Sequence, residues 1–295
     1  MSADPATIPA TDDAATTTAP LDDLPHEPGV AKPDPILVVD GVHRQFGGLV
    51  AVDVDHIEVQ RGAITALIGP NGAGKTTLFN LLTGFDEPNR GRWTFDGADV
   101  TGQSGYKLAR AGMVRTFQLT KSLSRLSVME NMKLGAQSQL GERFWPSLLP
   151  PMWRGQERDN EARAQALLER FRIDHMRDEY AGSLSGGQRK LLEMARALMA
   201  DPHLIMLDEP MAGVNPALTQ SLLGHIKSLR TEGRTVLFVE HDMDVVQDIS
   251  DWVVVMAEGR VIAEGPPRSI GKNREVIDAY LGAHHDADLG DSDGS

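Results

Sequence analysis

Residues 65–80 read TALIGPNGAGKTTLFN, and this stretch restricts the fold more than any other. An apolar run ends at Ile68, glycines stand at 69, 72 and 74, and Lys75-Thr76-Thr77 opens a second apolar run. Glycines let backbone wrap an anion closely, and the N-terminus of a following helix adds bare N–H groups and the positive end of its dipole. Gly69-x-x-x-x-Gly74-Lys75-Thr76 is therefore a phosphate-binding loop, provided that a strand precedes it and a helix follows. In such a cradle Gly69, Pro70, Asn71, Gly72, Ala73, Gly74 and Thr77 surround the phosphates. Lys75 reaches the β- and γ-phosphates, and Thr76 offers a hydroxyl to Mg²⁺.

The strand–loop–helix context is met repeatedly. Short apolar runs recur at Ile36–Val39, Ile64–Ile68, Leu204–Leu207, Val236–Val239 and Val253–Met256, most of them separated by helical patterns. Continuous apolar runs of this length suit strands buried on both faces of a largely parallel sheet, so the predicted class is α/β. Ser127-x-x-Glu130 predicts a capping box, and Asn215-Pro216 predicts an N-cap with proline in the first turn. From about 100 to 180 helical segments dominate, predicting a helical subdomain inserted at about 100–200.

A nucleotide hydrolase also needs a carboxylate for Mg²⁺ and a group that activates water. LIMLDEP places Asp208 at the end of an apolar strand, where it can hold the metal, and Glu209 beside it as a base. His241 follows the strand TVLFVE. The carboxyl ends of parallel strands line the ligand crevice, so His241 can reach a γ-phosphate there. Gln118, in VRTFQ, follows another candidate strand and can meet Mg²⁺ or the attacking water.

The formal charge of −13 is concentrated at the ends: residues 1–35 carry −6 and residues 283–295 carry −4. The body is close to neutral and holds no dense basic stripe, which disfavours nucleic acid as a partner. Both ends are expected to be disordered acidic tails around a domain spanning 36–282, and deletion of residues 1–30 is expected to spare activity. The N-terminus lacks the basic start and apolar core of a signal peptide. No run approaches the ~20 apolar residues of a membrane span. There is no cysteine, which removes disulfides, thiolate catalysis and Cys-ligated metals.

Residues 183–198, SLSGGQRKLLEMARAL, place Leu184, Ser185, Gly186, Gly187 and Gln188 at the mouth of an amphipathic helix, again suited to an anion. With the phosphate loop, LIMLDEP, Gln118 and His241 in this order, the chain resembles the nucleotide-binding domain of ABC ATPases. The resemblance implies a P-loop NTPase core of mostly parallel sheet, with an antiparallel β portion and an inserted helical subdomain. It implies ATP and Mg²⁺ as cofactors, with metal contacts from Thr76, Gln118 and Asp208. It also implies head-to-tail pairing with a second ABC ATPase, identical or homologous, whose ATP meets Leu184–Gln188 of this chain. Phe46, 23 residues before Gly69, matches the family's adenine-stacking aromatic.

Finer stretches, FGGLVAVDVDHIEV, RTFQLTKSLSRLSVMENM, LDEPMAGVNP and VIDAYLG, are similar to the ATP-binding subunits of branched-chain amino-acid importers. That branch implies two transmembrane permease subunits on separate chains, an extracytoplasmic substrate-binding protein, and a peripheral place on the cytoplasmic face of the membrane. The alternatives are the ATPase of a lipid or lipopolysaccharide exporter, and a non-transport ABC ATPase of DNA repair or translation. Trp145 and Trp153, within the proline-containing stretch 141–155, suit contact with the membrane interface, but prolines 146, 150 and 151 interrupt a helix and favour a helix-linking loop packed on its own domain or on the partner.

Overall fold

The computed structural model describes residues 21–116, 123–136 and 150–281, without the side chains of 150–154. Gln118, Trp145, Trp153's side chain and the chain ends 1–20 and 282–295 lie outside the described residues. Strands β1 (Pro35–Phe46) and β2 (Leu49–Gln60) lead to β3 (Ile64–Ile68), α1 (Lys75–Leu82), β4 (Arg90–Phe95), β5 (Ala98–Asp99), α2 (Gly105–Ala111) and β6 (Met113–Arg115). The helices α3 (Val128–Leu134), α4 (Pro150–Arg170) and α5 (Gly186–Leu198) come next. The rest alternates: β7 (Leu204–Asp208), α6 (Pro216–Thr231), β8 (Thr235–Val239), α7 (Met243–Ile249), β9 (Trp252–Ala257), β10 (Arg260–Gly265), α8 (Pro267–Ile270) and α9 (residues 274–281).

One sheet has the order β10-β9-β3-β8-β7-β6, parallel from β9 to β6, with β10 antiparallel at its edge. Its strands read as continuous apolar runs because both faces are covered. Ile64, Ala66, Ile205, Leu207, Val236, Phe238, Val253 and Val255 enter a core shared with the helices. Leu67, Leu204, Met206, Leu237, Val239, Val254 and Met256 enter a second core against the other sheet. That alternation is the two-residue period of the strand. The second sheet, β2-β1-β4-β5, is antiparallel, and α1 packs Leu78, Phe79, Leu81 and Leu82 into the core between the sheets. The run Ile36–Val39, grouped by sequence with the parallel strands, lies here instead, because the Gly47-Gly48 turn folds β1 onto β2 as a hairpin.

Helices α3, α4 and α5 share the first core through Met132, Leu168, Leu192 and Leu198, with Phe171 directly after α4, so their apolar surface is continuous with that of the sheet. β6 interrupts the predicted helical span and adds a parallel edge strand beside β7. Both predicted caps are present: Ser127 and Glu130 form a reciprocal capping box, and Asn215 Oδ1 accepts the Leu218 N–H ahead of Pro216.

Residues 21–34, expected to belong to a disordered tail over 1–35, are folded against the body. Leu21, Leu24 and Val30 pack against the inter-sheet core. Lys32 is buried, its ammonium paired with Glu264 at 3.1 Å and placed 4.4 Å from the centre of the Trp252 ring. Glu264 also accepts N–H bonds from Gly29 and from the Trp252 indole, and Glu58 accepts the Lys32 N–H. Residues 21–34 thus form a strap across both sheets, which polar composition conceals because its anchoring groups lie far away in sequence. Deletion of residues 1–30 would remove part of it.

Candidate functional site

The loop between β3 and α1 is gripped from both sheets. Gly69 has φ +150°, and a Cβ on it would stand 2.0 Å from the Met256 carbonyl oxygen of β9. Gly74, with φ +95°, would place a Cβ 2.3 Å from the Ala51 carbonyl oxygen of β2. Glycine is required at both positions by conformation and by space. The Gly259 N–H donates to Ala73 O, and the Asp53 N–H donates to Gly259 O, closing the grip. Lys75 starts α1 and is buried; its ammonium donates to Gly69 O at 2.7 Å and Pro70 O at 2.9 Å. Burial lowers the Lys75 pKa, and Glu209 opposes that shift. Asn71, Gly72 and Thr76 are exposed, Ala73 is buried, and Thr77 is half-buried in the first turn of the helix.

Asp208 ends β7 in register with Val239 of β8. Glu209 follows with φ +44°, left-handed backbone in a non-glycine residue, a conformation that costs about 1–3 kcal/mol and is found where surrounding structure enforces it. Here the Glu209 N–H donates to Val239 O, and the Ala212 N–H donates to Glu209 O. Thr76, Asp208 and Glu209 line one cleft of about 450 Å³, joined by Arg115, Lys190 and Glu193. Three of the residues singled out from the sequence are therefore brought together.

Others stand apart. His241 is not in the wall of that cleft; its ring is 66% exposed, and its Nδ1 lies 3.9 Å from Glu240 Oε2. Phe46 lies at the tip of the β1–β2 hairpin, 47% exposed, with the Arg44 guanidinium 4.5 Å from its ring centre. Arg44 is itself held by both oxygens of Asp86.

At the mouth of α5, Ser185 is the N-cap. Its hydroxyl oxygen accepts the Gln188 N–H, and its own N–H donates to Gln188 Oε1. Ser185 and Gly186 are exposed, while Leu184 and Gly187 are buried. None of the five lines the cleft at Thr76. Lys190, one turn on, donates to Glu209 O at 3.4 Å and so touches the turn after β7.

Two residues of this region escaped the reading of the sequence. Glu240 is 1% exposed and accepts the Met211 N–H, tying the turn after Glu209 to the strand that ends beside His241. Burial raises its pKa, while N–H donation from Met211 and His241 opposes the shift. Its signal was an acid directly after the apolar run Val236–Val239. Arg115 donates to Asp208 Oδ2 at 2.6 Å; its signal was a cation ending a short apolar strand.

Among the described residues no cluster of three or more His, Asp or Glu side chains is arranged to hold a metal unaided. One hydroxyl and one carboxylate in a shared cleft suit Mg²⁺, which takes few protein oxygens and completes its shell with phosphates and water. Among the described residues no helix is long and apolar enough to cross a membrane.

A family described as ABC transporter matches residues 52–212, and one described as branched-chain amino acid ATP-binding cassette transporter matches residues 260–286. The chain is 42% identical to a probable branched-chain amino acid transport ATP-binding protein LivG of Archaeoglobus fulgidus, over 84% of this chain and 96% of that protein. It is also 42% identical to the high-affinity branched-chain amino acid transport ATP-binding protein BraF of Pseudomonas aeruginosa, over 84% and 98%. A nucleotide-free ATP-binding cassette from an ABC transporter superposes with a TM-score of 0.73 at 36% identity, covering 83% of this chain and 98% of that one. The ADP conformation of an ATP-binding cassette gives the same TM-score and identity, with 84% and 99% covered.

Proposed function

The chain belongs to the ABC transporter ATP-binding family, and on that premise we propose that it is the ATP-hydrolysing subunit that powers import of branched-chain amino acids. Over 84% of its length the chain is 42% identical to two ATP-binding proteins named for that transport, each covered almost end to end, and this observation carries the choice of cargo. ATP is the substrate, and hydrolysis is the chemistry.

In the proposed mechanism the Gly69–Thr77 backbone cradles the phosphates, and Lys75 exchanges its two loop carbonyls for phosphate oxygens. Mg²⁺, held by Thr76 and Asp208, would offset phosphate charge when bound. Glu209 takes the proton of the attacking water, and its exposure in the cleft gives water access to the carboxylate. His241 reaches the γ-phosphate once the nucleotide and partner close the space around its exposed ring, and Gln118 is assigned from the sequence pattern alone to Mg²⁺ or the attacking water. Phe46 stacks on adenine.

Leu184–Gln188 face the ATP of a second ABC ATPase, to which Ser185 and Gly186 present a hydroxyl and uncovered N–H groups. ATP then closes the pair, and hydrolysis releases it. Two permease subunits on separate chains convert this motion into transport at the cytoplasmic face of the membrane, supplied by an extracytoplasmic binding protein.

The test is capture of tagged Glu209→Gln from solubilised membranes of the source cell in Mg-ATP. The substitution is expected to slow hydrolysis about 10²–10⁴-fold while retaining ATP, the range for loss of a general base. Two polytopic membrane proteins should co-purify, and deleting their genes should abolish leucine uptake. Ribosomal or DNA-repair proteins without membrane subunits would refute the proposal.

A further inference from the structure

Arg115 ends β6, its side chain 9% exposed, and the mechanism above gives it no part. Its guanidinium donates from one nitrogen to Asn80 Oδ1 at 2.7 Å and Thr83 Oγ1 at 3.1 Å, and from another to Asp208 Oδ2 at 2.6 Å. The Thr83 hydroxyl in turn donates to Phe79 O, which fixes that acceptor. The rings of Phe79 and Phe85 lie 5.7 Å and 5.8 Å from the guanidinium carbon and restrict its plane. Asn80 and Thr83 sit at the far end of α1, the helix that begins with Lys75 and Thr76; Asp208 ends a different strand.

We propose that Arg115 is the positioning residue for Asp208, holding one carboxylate oxygen so that the other is presented to the cleft at a fixed attitude to Thr76. Asp208 is 27% exposed and lines that cleft. A planar fork with rigidly spaced donors joins three acceptors on two elements in one fixed geometry, which an ammonium on a flexible stem holds less rigidly. Mg²⁺ tolerates little departure from octahedral geometry, so an ordered carboxylate favours its capture. The positive charge of Arg115 acts in the opposite direction, repelling a divalent ion. The proposal holds that ordering outweighs repulsion, and it rests on the reading of Asp208 as a metal ligand.

Full-length Arg115→Ala, Arg115→Lys and Asp208→Asn are compared with the unaltered chain. Three quantities are read: ATP affinity in EDTA by calorimetry, the Mg²⁺ concentration giving half-maximal ATPase activity, and kcat against KM. Arg115→Ala should leave ATP affinity in EDTA within about twofold, while the Mg²⁺ midpoint rises about tenfold and kcat falls more than KM changes, as for loss of a group supporting a metal ligand. Arg115→Lys should recover part of the midpoint, and Arg115→Ala should add nothing once Asp208 is Asn. If Arg115→Ala does not fold, Arg115→Gln takes its place. A Mg²⁺ midpoint that is unchanged or falls, or an equal loss of affinity in EDTA, overturns the role of Arg115 alone. A Mg²⁺ midpoint that Asp208→Asn leaves unchanged overturns the metal-ligand reading of Asp208 and this proposal with it.

Discussion

Glu240 is an acid of this site whose ionisation works against the fold. Burial raises its pKa above the ordinary 4.5, so its stabilising contribution is full below that value and is lost as pH rises through the higher folded pKa. Glu240→Gln keeps an oxygen that can accept the Met211 N–H and removes the charge. Its melting temperature minus that of the unaltered chain is therefore expected to grow as pH rises from 4.5 towards neutrality. Thermal scans across that range check it, and a difference that stays flat contradicts the sign. The places of Lys75 at the start of α1 and of Asp208 and Glu209 at the end of β7 were legible in the sequence because each belongs to a short contiguous motif. Glu240 and Arg115 were not, because what they do depends on groups in other elements: Met211 for one, Asp208, Asn80 and Thr83 for the other.

Helix α5 shows how one hydroxyl can serve two purposes. Ser185 Oγ accepts the Gln188 N–H as an N-cap, leaving its own proton to donate to an anion. Ser185→Ala should therefore lose about 1 kcal/mol of stability from the missing cap. In the Glu209→Gln background it should also weaken ATP-dependent dimerisation about tenfold, the scale of a lost hydrogen bond to a charged group. Urea denaturation reads the first effect and gel filtration with Mg-ATP the second; a stability loss with unaltered dimerisation would leave Ser185 as a cap only. The strand–loop–helix order and the caps at Ser127 and Asn215 were legible because they rest on local chemistry. The placement of β1 in a separate antiparallel sheet was not, since an apolar run of four residues is equally at home in either sheet.

For the whole molecule, the strap over residues 21–34 makes the N-terminal segment part of the folded body. Removing one partner of a buried ion pair leaves the other uncompensated, at a cost of about 3–5 kcal/mol. Lys32→Ala is expected towards the lower end, about 3 kcal/mol, since Glu264 keeps N–H bonds from Gly29 and Trp252. Urea titration should give a midpoint well below that of the unaltered chain, whereas deletion of residues 1–20 should leave it unchanged. Equal midpoints for all three would show that the strap adds nothing. The acidic bias of the first 35 residues hid this arrangement, because a single lysine among seven acids does not announce a carboxylate more than two hundred residues away.

The grip on the phosphate loop has a mechanical corollary. The Met256 carbonyl presses on Gly69 from one sheet and the Ala51 carbonyl closes on Gly74 from the other, so the loop is a keystone set between two slabs. One slab cannot be tilted against the other without altering the curvature of the backbone that surrounds the phosphates. A side chain at either glycine would have to wedge the slabs apart or expel the loop, so two missing methyl groups set how closely the sheets approach there.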